Sequence, residues 1–421
     1  MREKAPVTTS ALPTQVIVMC TELSRRRLGG PGVMMELLLK QHEAVRRNKY
    51  SMVTVFRDKH FPTYSSLRAQ TKAPMVERFD TGSIGYWPQV AIGRLGFLLN
   101  VLKAMKGRYS GRIIHCHDFV SSYLSSLFLG QRYPIIQTIH ARGSAVREIV
   151  AENPNLHGSL WENVANHIEA TAVRKVDVVV FTSKGSRELF EEEHPGLLGT
   201  KDVRVVHAGV DVEELDAIPD NPAILAKYDI PVDTFLLLTV AALVPDKGLD
   251  TFVEAIAALP AEIRGRVRAL IVGRDGPLRQ HVESLIAENG LEDNVWLLGY
   301  LKREDLVQLM RRATLFVLTP GVSVFDHVLL EVGALGTPVV TTAVGGNLEM
   351  FDPDSALMVP PGEPRALSDV IMRALTDEGL RQRTGANARS RVRARFSLEA
   401  LLDSYEALYT EVRDARRARE A

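Results

Sequence analysis

The sequence predicts an α/β protein with two doubly wound parallel-sheet domains, each sheet covered by helices. Short β-branched runs alternate with helical patterns along almost the whole chain, which is typical of parallel sheets. The runs in the second half are nearly continuous in apolar residues, as expected for strands buried on both faces. The length of 421 residues exceeds one ordinary core and favours two domains.

Six predicted strands lie in the first half of the chain. They read QVIVMC (15–20), MVTVF (52–56), RIIHCH (112–117), PIIQTIH (134–140), VDVVVFTS (176–183) and VRVVHAGV (203–210). Helical patterns at 33–46, 94–106 and 161–174 lie between them. This alternation predicts one parallel sheet for the first half.

A second series of strands follows residues 211–234, a segment rich in Asp, Pro and Ala in which IPDNPAI reads as a hinge. Its strands are FLLLTVAA (235–242), VRALIVG (267–273), VWLLGYL (295–301), TLFVLTP (314–320), PVVTTAV (338–344) and ALMVPP (356–361). The region from Pro364 onward is helical in pattern. The second half therefore predicts another doubly wound domain of similar size.

Composition and charge exclude several functional classes. The chain has 51 Lys plus Arg residues and 51 Asp plus Glu residues, so it has no net positive charge that would attract nucleic acid or an anionic membrane. No apolar run approaches the roughly 20 residues of a transmembrane helix. The start, MREKAPVTTSALPTQ, reads as a flexible leader (1–14) without the apolar core of a secretion signal. Since Cys20 and Cys116 fall in apolar strands, reduced thiols and a cytoplasmic location are expected.

The strand ends of the first half carry glycines and histidines, and doubly wound sheets bind ligands beyond these ends. Gly29, Gly30 and Gly32 in LGGPG allow a ligand to approach the backbone before a helix that favours anions, although most such loops are only turns. His117 and His140 follow neighbouring strands. A single histidine at such a position is more often structural. Two histidines on neighbouring strand ends are explained about equally well by a structural role and by contact with a ligand.

The strand ends of the second half carry a lysine and an isolated acid. Lys247 precedes a helix and is placed for an anion, although a surface lysine beside a capping aspartate explains it as well. Glu331 stands alone in the apolar stretch at 323–340, where a carboxylate is costly unless paired. It is either an acid favoured by a helix N-terminus or the acceptor of a ligand hydroxyl. Gly345-Gly346 reads as a further turn that accommodates phosphate.

The order of these motifs resembles that of the retaining glycosyltransferases of family four, which have the GT-B fold of two Rossmann-like domains facing across a cleft. The resemblance covers about residues 15–410 and is strongest in LVPDKGLDTFVEAIAAL, VLLEVGALGTPVVTTAVGGNLE and RARFSLEALLDSYEALY. LGGPG, IIHCHDF and TIHARGS match the family in the first half. The resemblance implies a nucleoside-diphosphate sugar donor (UDP or GDP), with no cofactor and no metal ion.

The resemblance also implies the domain roles. An acceptor-binding domain is expected over 15–212, a nucleotide-sugar-binding domain over 213–395, and a C-terminal helix over 396–421 that returns to the first domain. His140 is expected near the transferred sugar and the acceptor, with His117 as a further catalytic residue.

The resemblance assigns the remaining site residues by parts of the donor. Glu331 is assigned to the ribose and is expected to accept hydrogen bonds from the ribose hydroxyl groups. Independently of the resemblance, the strand end at Gly299, Tyr300 and Leu301 offers backbone against which a flat base can rest. The diphosphate is assigned to Gly30, Lys247 and the amides of Val328 and Leu329. The sugar is assigned to Ser323, Phe325, Asp326 and His327.

Two departures from the family pattern bear on the donor. The family usually reads Glu-x7-Glu, and the first acid is replaced here by Ser323, which favours an uncommon sugar, as in secondary metabolism. The family commonly has Gly-Arg where this chain has Ala241-Ala242, so one diphosphate cation is missing. We expect Arg25 or its neighbours in SRRR, Arg142 or Arg274 to reach the diphosphate instead.

The sequence leaves three functional hypotheses. The first is an active transferase with a small soluble acceptor; a sugar or lipid acceptor in cell-surface glycan synthesis is its variant. The second is a catalytically impaired nucleotide-sugar-binding protein, suggested by Ser323 and Ala242. The third, an epimerase or phosphorylase, is weakened by the few carboxylates at the strand ends and by the lack of a convincing cofactor lysine.

Overall fold

The computed structural model describes residues 14–19, 50–55 and 111–420. The helices predicted at 33–46 and 94–106 and the loop LGGPG lie outside these residues. The chain divides into two compact units. The first holds the described residues up to Thr182, together with Arg187–Val206 and Leu402 onward, and the second holds Ser183–Ser186 and His207–Leu401.

Each unit contains a six-stranded parallel sheet, which confirms the predicted α/β class. The first sheet consists of β1 (Thr14–Met19), β2 (Tyr50–Val55), β3 (Arg112–Cys116), β4 (Ile135–Ile139), β5 (Val178–Phe181) and β6 (Asp202–Val205). The second consists of β7 (Phe235–Val240), β8 (Val267–Val272), β9 (Val295–Gly299), β10 (Leu315–Leu318), β11 (Val339–Thr342) and β12 (Leu357–Val359). Several strands end earlier than predicted: β5 ends at Phe181 rather than at residue 183, and β6 ends at Val205 rather than at residue 210.

The first sheet has the strand order β2-β1-β3-β4-β5-β6. Its strands β4 and β5 are buried along their length, and Ile114, Ile135 and Val179 have no exposed surface. Since β2 and β3 lie on opposite sides of β1, the order reverses between β1 and β3. Such a reversal is where doubly wound sheets open a ligand crevice, and His117 directly follows β3.

The second sheet has the order β12-β11-β10-β7-β8-β9 and is equally apolar inside. β7 pairs with β8 on one side and with β10 on the other, so this order reverses between β7 and β10. The loops after these two strands therefore flank the expected ligand crevice of the second unit. Lys247 lies in the first of these loops and Asp326 in the second.

Helices cover the strands in both units. In the first unit and at its border they are α1 (Phe119–Phe128), α2 (Ala145–Glu152), α3 (Leu160–Lys175) and α4 (Lys184–Glu193). The second unit contains α5 (Val212–Ala217), α6 (Ile224–Lys227), α7 (Leu249–Ala257), α8 (Ala261–Arg264), α9 (Arg279–Glu288), α10 (Arg303–Arg312), α11 (His327–Leu335), α12 (Asn347–Met350), α13 (Pro364–Thr376) and α14 (Glu378–Arg395). α15 (Leu398–Glu420) begins in the second unit and continues in the first.

The last helix packs on the first sheet through two buried tyrosines. The Tyr409 hydroxyl lies 2.8 Å from Nδ1 of His115, and the Tyr405 hydroxyl lies 3.5 Å from the Thr138 hydroxyl. Both tyrosines are almost fully buried, and their hydroxyl groups find hydrogen-bond partners there, as buried tyrosines generally do. His115 on β3 and Thr138 on β4 thus have a structural explanation in α15.

Gly248 is expected to be intolerant of a side chain. Its φ is +62°, and a Cβ at this position would lie 1.9 Å from the carbonyl oxygen of Thr319. We expect Gly248→Ala to lower the free energy of unfolding by at least about 2 kcal/mol, since backbone strain and a clash add together. The measurement is urea unfolding monitored by circular dichroism.

Gly362→Ala is the matched control for this substitution. Gly362 has φ +71°, but no atom of the described chain lies within 4 Å of its added Cβ. This variant should show only the cost of the left-handed conformation, about 1–2 kcal/mol. Equal destabilisation in the two variants would show that the Thr319 contact adds nothing.

Candidate active site

A salt bridge spans the strand-order reversal of the second sheet. Lys247 ends a 3-10 turn, Pro245–Lys247, that follows β7, and Asp326 precedes α11 in the loop after β10. The Lys247 ammonium lies 2.9 Å from Oδ1 of Asp326, and both side chains are largely buried. The predicted anion-binding lysine therefore reaches the expected crevice, where its charge is balanced by a carboxylate.

Asp326 also binds the serine that departs from the family pattern. The Ser323 hydroxyl donates to Oδ2 of Asp326 over 2.7 Å, and Ser323 is only 6% exposed. The Asp326 side chain makes no capping bond to α11. A carboxylate therefore lies beside position 323, although the residue at that position is neutral.

The first turn of α11 holds three of the predicted donor contacts. His327 is its first residue, and burial lowers the pKa of its imidazole to about 4 against the opposing effect of Asp326. The ring is therefore neutral at physiological pH. The Val328 amide occupies a helix position that lacks an intrahelical acceptor.

The Leu329 amide already has a hydrogen-bond acceptor within the chain. This amide donates to the Asp326 carbonyl over 3.0 Å, and the Leu329 residue is fully buried. A phosphate oxygen would have to share or replace that hydrogen bond. The helix start thus points to Val328 rather than Leu329 as the amide for an anion.

Glu331 lies in the middle of α11 and is paired. Its Oε1 accepts a hydrogen bond from Nη1 of Arg303 over 2.6 Å, and its side chain is 18% exposed. The interpretation as an N-terminal acid is wrong, because the first turn of this helix carries no acidic residue. Burial raises the pKa of the Glu331 carboxyl, while Arg303 opposes that rise.

Arg303 is a residue that sequence reasoning missed. It is the first residue of α10, directly after the loop that carries Gly299, Tyr300 and Leu301. Gly299 has φ +64° and ends β9, and Tyr300 is 86% exposed. The sequence feature that could have indicated Arg303 is its place: it is a basic residue that follows the predicted base-binding strand end and begins a helix.

The glycines at 345 and 346 have a packing role in the structure. A Cβ on Gly345 would lie 2.0 Å from the Ser323 carbonyl oxygen, and one on Gly346 would lie 2.0 Å from that of Val324. Phe325 in the same loop is buried and stacks on His207 with ring centroids 5.2 Å apart. Both glycines therefore allow close packing of the loop that holds the predicted sugar-binding residues. This packing explains the two glycines without the phosphate-binding turn that the sequence suggested.

The two predicted catalytic histidines lie in contact in the first unit. Nδ1 of His117 lies 2.8 Å from Nε2 of His140, and the rings stack with centroids 5.1 Å apart. The pKa of His117 is lowered well below its usual value, mainly by burial and then by His115 and His140. His115 lies beside this pair, with its pKa lowered to about 3, mainly by burial.

The hydrogen bond between His117 and His140 has a preferred direction. Nε2 of His117 is buried and has no hydrogen-bond partner among the described residues. A bare imine nitrogen is tolerated there more easily than an N–H group, because unpaired buried donors are rarer than unpaired acceptors. This favours a proton on Nδ1 of His117, which donates to Nε2 of His140.

The proposed compensating arginines fall in different parts of the chain. Arg25 lies outside the described residues. Arg142 follows β4 in the first unit, where its backbone amide donates to Glu148. Arg274 follows β8, and its carbonyl accepts from the Leu243 amide over 3.1 Å, so its backbone borders the loop at Ala241-Ala242. Among the two described candidates, Arg274 is therefore the one that borders the altered Gly-Arg position.

Neither a metal centre nor a membrane helix is found in the described ranges. Over 14–19, 50–55 and 111–420, no group of three or more His, Cys, Asp or Glu side chains is arranged to hold a metal ion. In the same ranges, no helix combines the length and the apolarity that crossing a bilayer requires.

Comparison with known families identifies the class of protein. Residues 29–214 match the family described as Glycosyltransferase Family 4, and residues 220–391 match Glycosyl transferases group 1. The two parallel-sheet units and these matches define a nucleotide-sugar-dependent glycosyltransferase with the GT-B fold. The chain belongs to glycosyltransferase family 4, a family of retaining transferases.

Curated relatives match most of the length of the chain. It is 28% identical to the alpha-D-kanosaminyltransferase of Streptomyces kanamyceticus, over 78% of this chain and 85% of that protein. It is 27% identical to the N-acetyl-alpha-D-glucosaminyl L-malate synthase of Bacillus anthracis, over 71% of this chain and 74% of that protein.

Solved structures share the fold at low identity. Sucrose-phosphate synthase of Thermosynechococcus elongatus has a TM-score of 0.70 and 22% identity, covering 96% of this chain and 100% of that one. HepE of Anabaena, in complex with UDP, has a TM-score of 0.67 and 17% identity, covering 95% of this chain and 100% of that one. At these identities the likeness establishes the fold alone.

Proposed function

We propose that this enzyme transfers a sugar from a nucleoside diphosphate, UDP or GDP, to a small soluble acceptor with retention of configuration. The second unit binds the donor and the first unit binds the acceptor. The class of reaction follows from the family membership, and the relative named as an L-malate synthase supports the choice of a small acceptor. The HepE complex with UDP supports uridine as the base to test first.

One observation supports the donor site above the others. Lys247 and Asp326 meet at 2.9 Å across the reversal of strand order, which is where open α/β sheets bind nucleotides. Glu331 lies on the helix that starts directly after Asp326. The cation and the helix N-terminus suit the diphosphate of a nucleotide sugar, and the carboxylate of Glu331 suits its ribose.

The chemical demand on the site is to stabilise the leaving diphosphate. Breaking the glycosidic bond builds charge on the leaving oxygen, which Lys247 and the first turn of α11 are assigned to bind. Arg274 is assigned as the additional cation in place of the family arginine. In front-face attack the leaving phosphate oxygen accepts the proton of the acceptor, so no pair of protein carboxylates is needed for acid–base chemistry.

Asp326 is assigned to the hydroxyl groups of the transferred sugar. It is held by Ser323 and Lys247, at 2.7 Å and 2.9 Å. Phe325 and His327 flank it in the chain and complete the sugar subsite. The neutral imidazole of His327 can exchange hydrogen bonds with a sugar without adding a charge next to the diphosphate.

The function is tested by donor consumption with and without acceptors. The purified protein is incubated with a panel of UDP- and GDP-sugars, and release of nucleoside diphosphate is measured in the presence of small polyols, amino sugars, hydroxy acids and thiols. Release that requires one of these acceptors, with a product that retains the anomeric configuration of the donor, supports the proposal. Binding without turnover across the panel would favour the impaired binding protein, and release only with lipid-linked glycans would favour cell-surface synthesis.

Glu331→Ala is expected to weaken nucleotide binding. Losing a charge-assisted hydrogen bond to the ribose costs about 1.5–3 kcal/mol, so the Kd of UDP or GDP should rise by about tenfold or more. Isothermal titration calorimetry measures this change.

Glu283→Ala is the control for this substitution, because Glu283 is half exposed on α9 and pairs with Arg279. It should leave the nucleotide Kd unchanged. An unchanged Kd in Glu331→Ala would remove Glu331 from the donor site.

A further inference from the structure

The pairing of Arg303 with Glu331 joins two different parts of the second unit. Arg303 begins α10, directly after the strand end assigned to the base, and Glu331 lies on α11. The distance from Nη1 to Oε1 is 2.6 Å. The Arg303 side chain is 39% exposed and that of Glu331 is 18% exposed, so the arginine reaches from the surface to a largely buried carboxylate.

The electrostatic surroundings of Glu331 explain why this arginine matters. Burial raises the pKa of the Glu331 carboxyl, Arg303 lowers it, and Glu214 on α5 raises it further. His327, one turn earlier on α11, is neutral. From α14, Arg389 lies near Gly336 and Val392 lies near Gly333, both toward the end of α11 beyond Glu331. Among the causes of this pKa shift, Arg303 is therefore the one that favours the ionised form.

The ionisation state decides what the carboxylate can accept. An ionised carboxylate offers two acceptor oxygens, whereas a protonated one turns one of them into a donor. With Oε1 bound to Arg303, Oε2 is the remaining acceptor for neighbouring ribose hydroxyls. Protonation there would replace an acceptor by a donor and weaken the contact.

We propose that Arg303 is a positioning residue for the donor nucleotide, which holds Glu331 ionised and oriented so that Oε2 receives the ribose hydroxyls. This inference rests on the proposed function, since it takes Glu331 as the ribose-binding acid. Arg303 itself acts through Glu331 and need not touch the nucleotide. Because Arg303 keeps Glu331 ionised, the affinity of this enzyme for its donor stays constant at mildly acidic pH.

Two other roles for the ion pair make different predictions. A merely structural bridge, like most partly exposed pairs, would affect stability slightly and leave the pH dependence of binding unchanged. A bridge that the nucleotide must displace would make binding tighter when Arg303 is removed. The pH dependence of nucleotide affinity therefore separates the three roles.

The test is calorimetric titration of UDP and of GDP into the wild type, Arg303→Gln, Arg303→Lys and Glu331→Gln. The pH is varied from about 5.5 to about 8.5, and the quantity compared is the ratio of the variant Kd to the wild-type Kd at each pH, which cancels titration of the ligand. For Arg303→Gln we expect a ratio of a few-fold at the alkaline end that grows on acidification, with a limiting slope of about tenfold per pH unit. Arg303→Lys should restore much of the pH independence, and Glu331→Gln should give a raised ratio with little dependence on pH.

The outcomes distinguish failure of this inference from failure of the proposed function. If Glu331→Gln weakens binding while the Arg303→Gln ratio is flat with pH or below one, the inference is overturned and the donor site stands. If Glu331→Gln binds like the wild type, or if neither UDP nor GDP binds the wild type, the proposed donor site fails and the inference fails with it. The Arg303→Lys variant, which keeps the charge, guards against an effect of misfolding.

Discussion

Replacing Lys247 with alanine is expected to lower the kcat of sugar transfer by about 10²–10³-fold, because the leaving diphosphate loses its principal side-chain cation. The family arginine at position 242 is already replaced by alanine, so only Arg274, the assigned additional cation, remains to compensate in part. Nucleotide affinity should fall as well, although less than kcat, because charge on the leaving oxygen is greatest in the transition state. Steady-state kinetics and calorimetry on the same preparation measure the two effects.

Asp326→Asn and Lys247→Arg are the matched variants for this experiment. Asp326→Asn removes the carboxylate that Lys247 contacts at 2.9 Å, so UDP or GDP should bind equally well or more tightly, while transfer of the sugar slows. Lys247→Arg retains the charge and should retain part of the activity. A loss of nucleotide affinity in Asp326→Asn as large as that in Lys247→Ala would contradict the assignment of Asp326 to the sugar.

His140→Ala is expected to lower kcat by about 10²-fold while changing the Kd of the nucleoside diphosphate by less than about threefold. His140 belongs to the first unit and is assigned to the transferred sugar and the acceptor, so its loss should act on transfer rather than on the nucleotide. Single-turnover transfer and nucleotide titration provide the two numbers. Parallel losses in kcat and nucleotide affinity would instead indicate a general disturbance of the fold.

The stability of the His140 variant has to be followed in the same experiment. Truncation leaves Nδ1 of His117 without its 2.8 Å partner, in a place where Nε2 already has none among the described residues. An unsatisfied buried polar group costs about 1–3 kcal/mol. His140→Gln keeps a hydrogen-bonding group at this position and should be the more stable variant, yet equally slow if the imidazole itself is required.

The strands and the general location of the site could be predicted from the sequence. Apolar β-branched runs mark buried parallel strands because both faces of such strands are covered. Lys247 and the segment 323–331 follow two of these runs, and the carboxyl ends of parallel strands share one edge of a sheet. The pairing of His117 with His140 follows the same rule, because β3 and β4 are neighbours in the sheet.

The side-chain partners could not be predicted in this way. Arg303 binds Glu331, Asp326 binds Lys247, and Tyr409 binds His115 across 28, 79 and 294 positions of the sequence. Local patterns carry no information on contacts of this kind. The amide of Leu329 shows the same limit at short range, because its donation to the Asp326 carbonyl depends on how the loop enters the helix.

The sequence by itself determined the alternation of strands and helices, the two-domain α/β class and the family, since these depend on local hydrophobic periodicity and on motifs in a fixed order. Tertiary structure decided which charges meet. It placed β10 beside β7, so that Asp326 lies across the strand-order reversal from Lys247, and it brought an arginine from one helix to the isolated acid of another. The physical reason is that burial and Coulomb interactions depend on distances in space, which the order of residues along a chain does not specify.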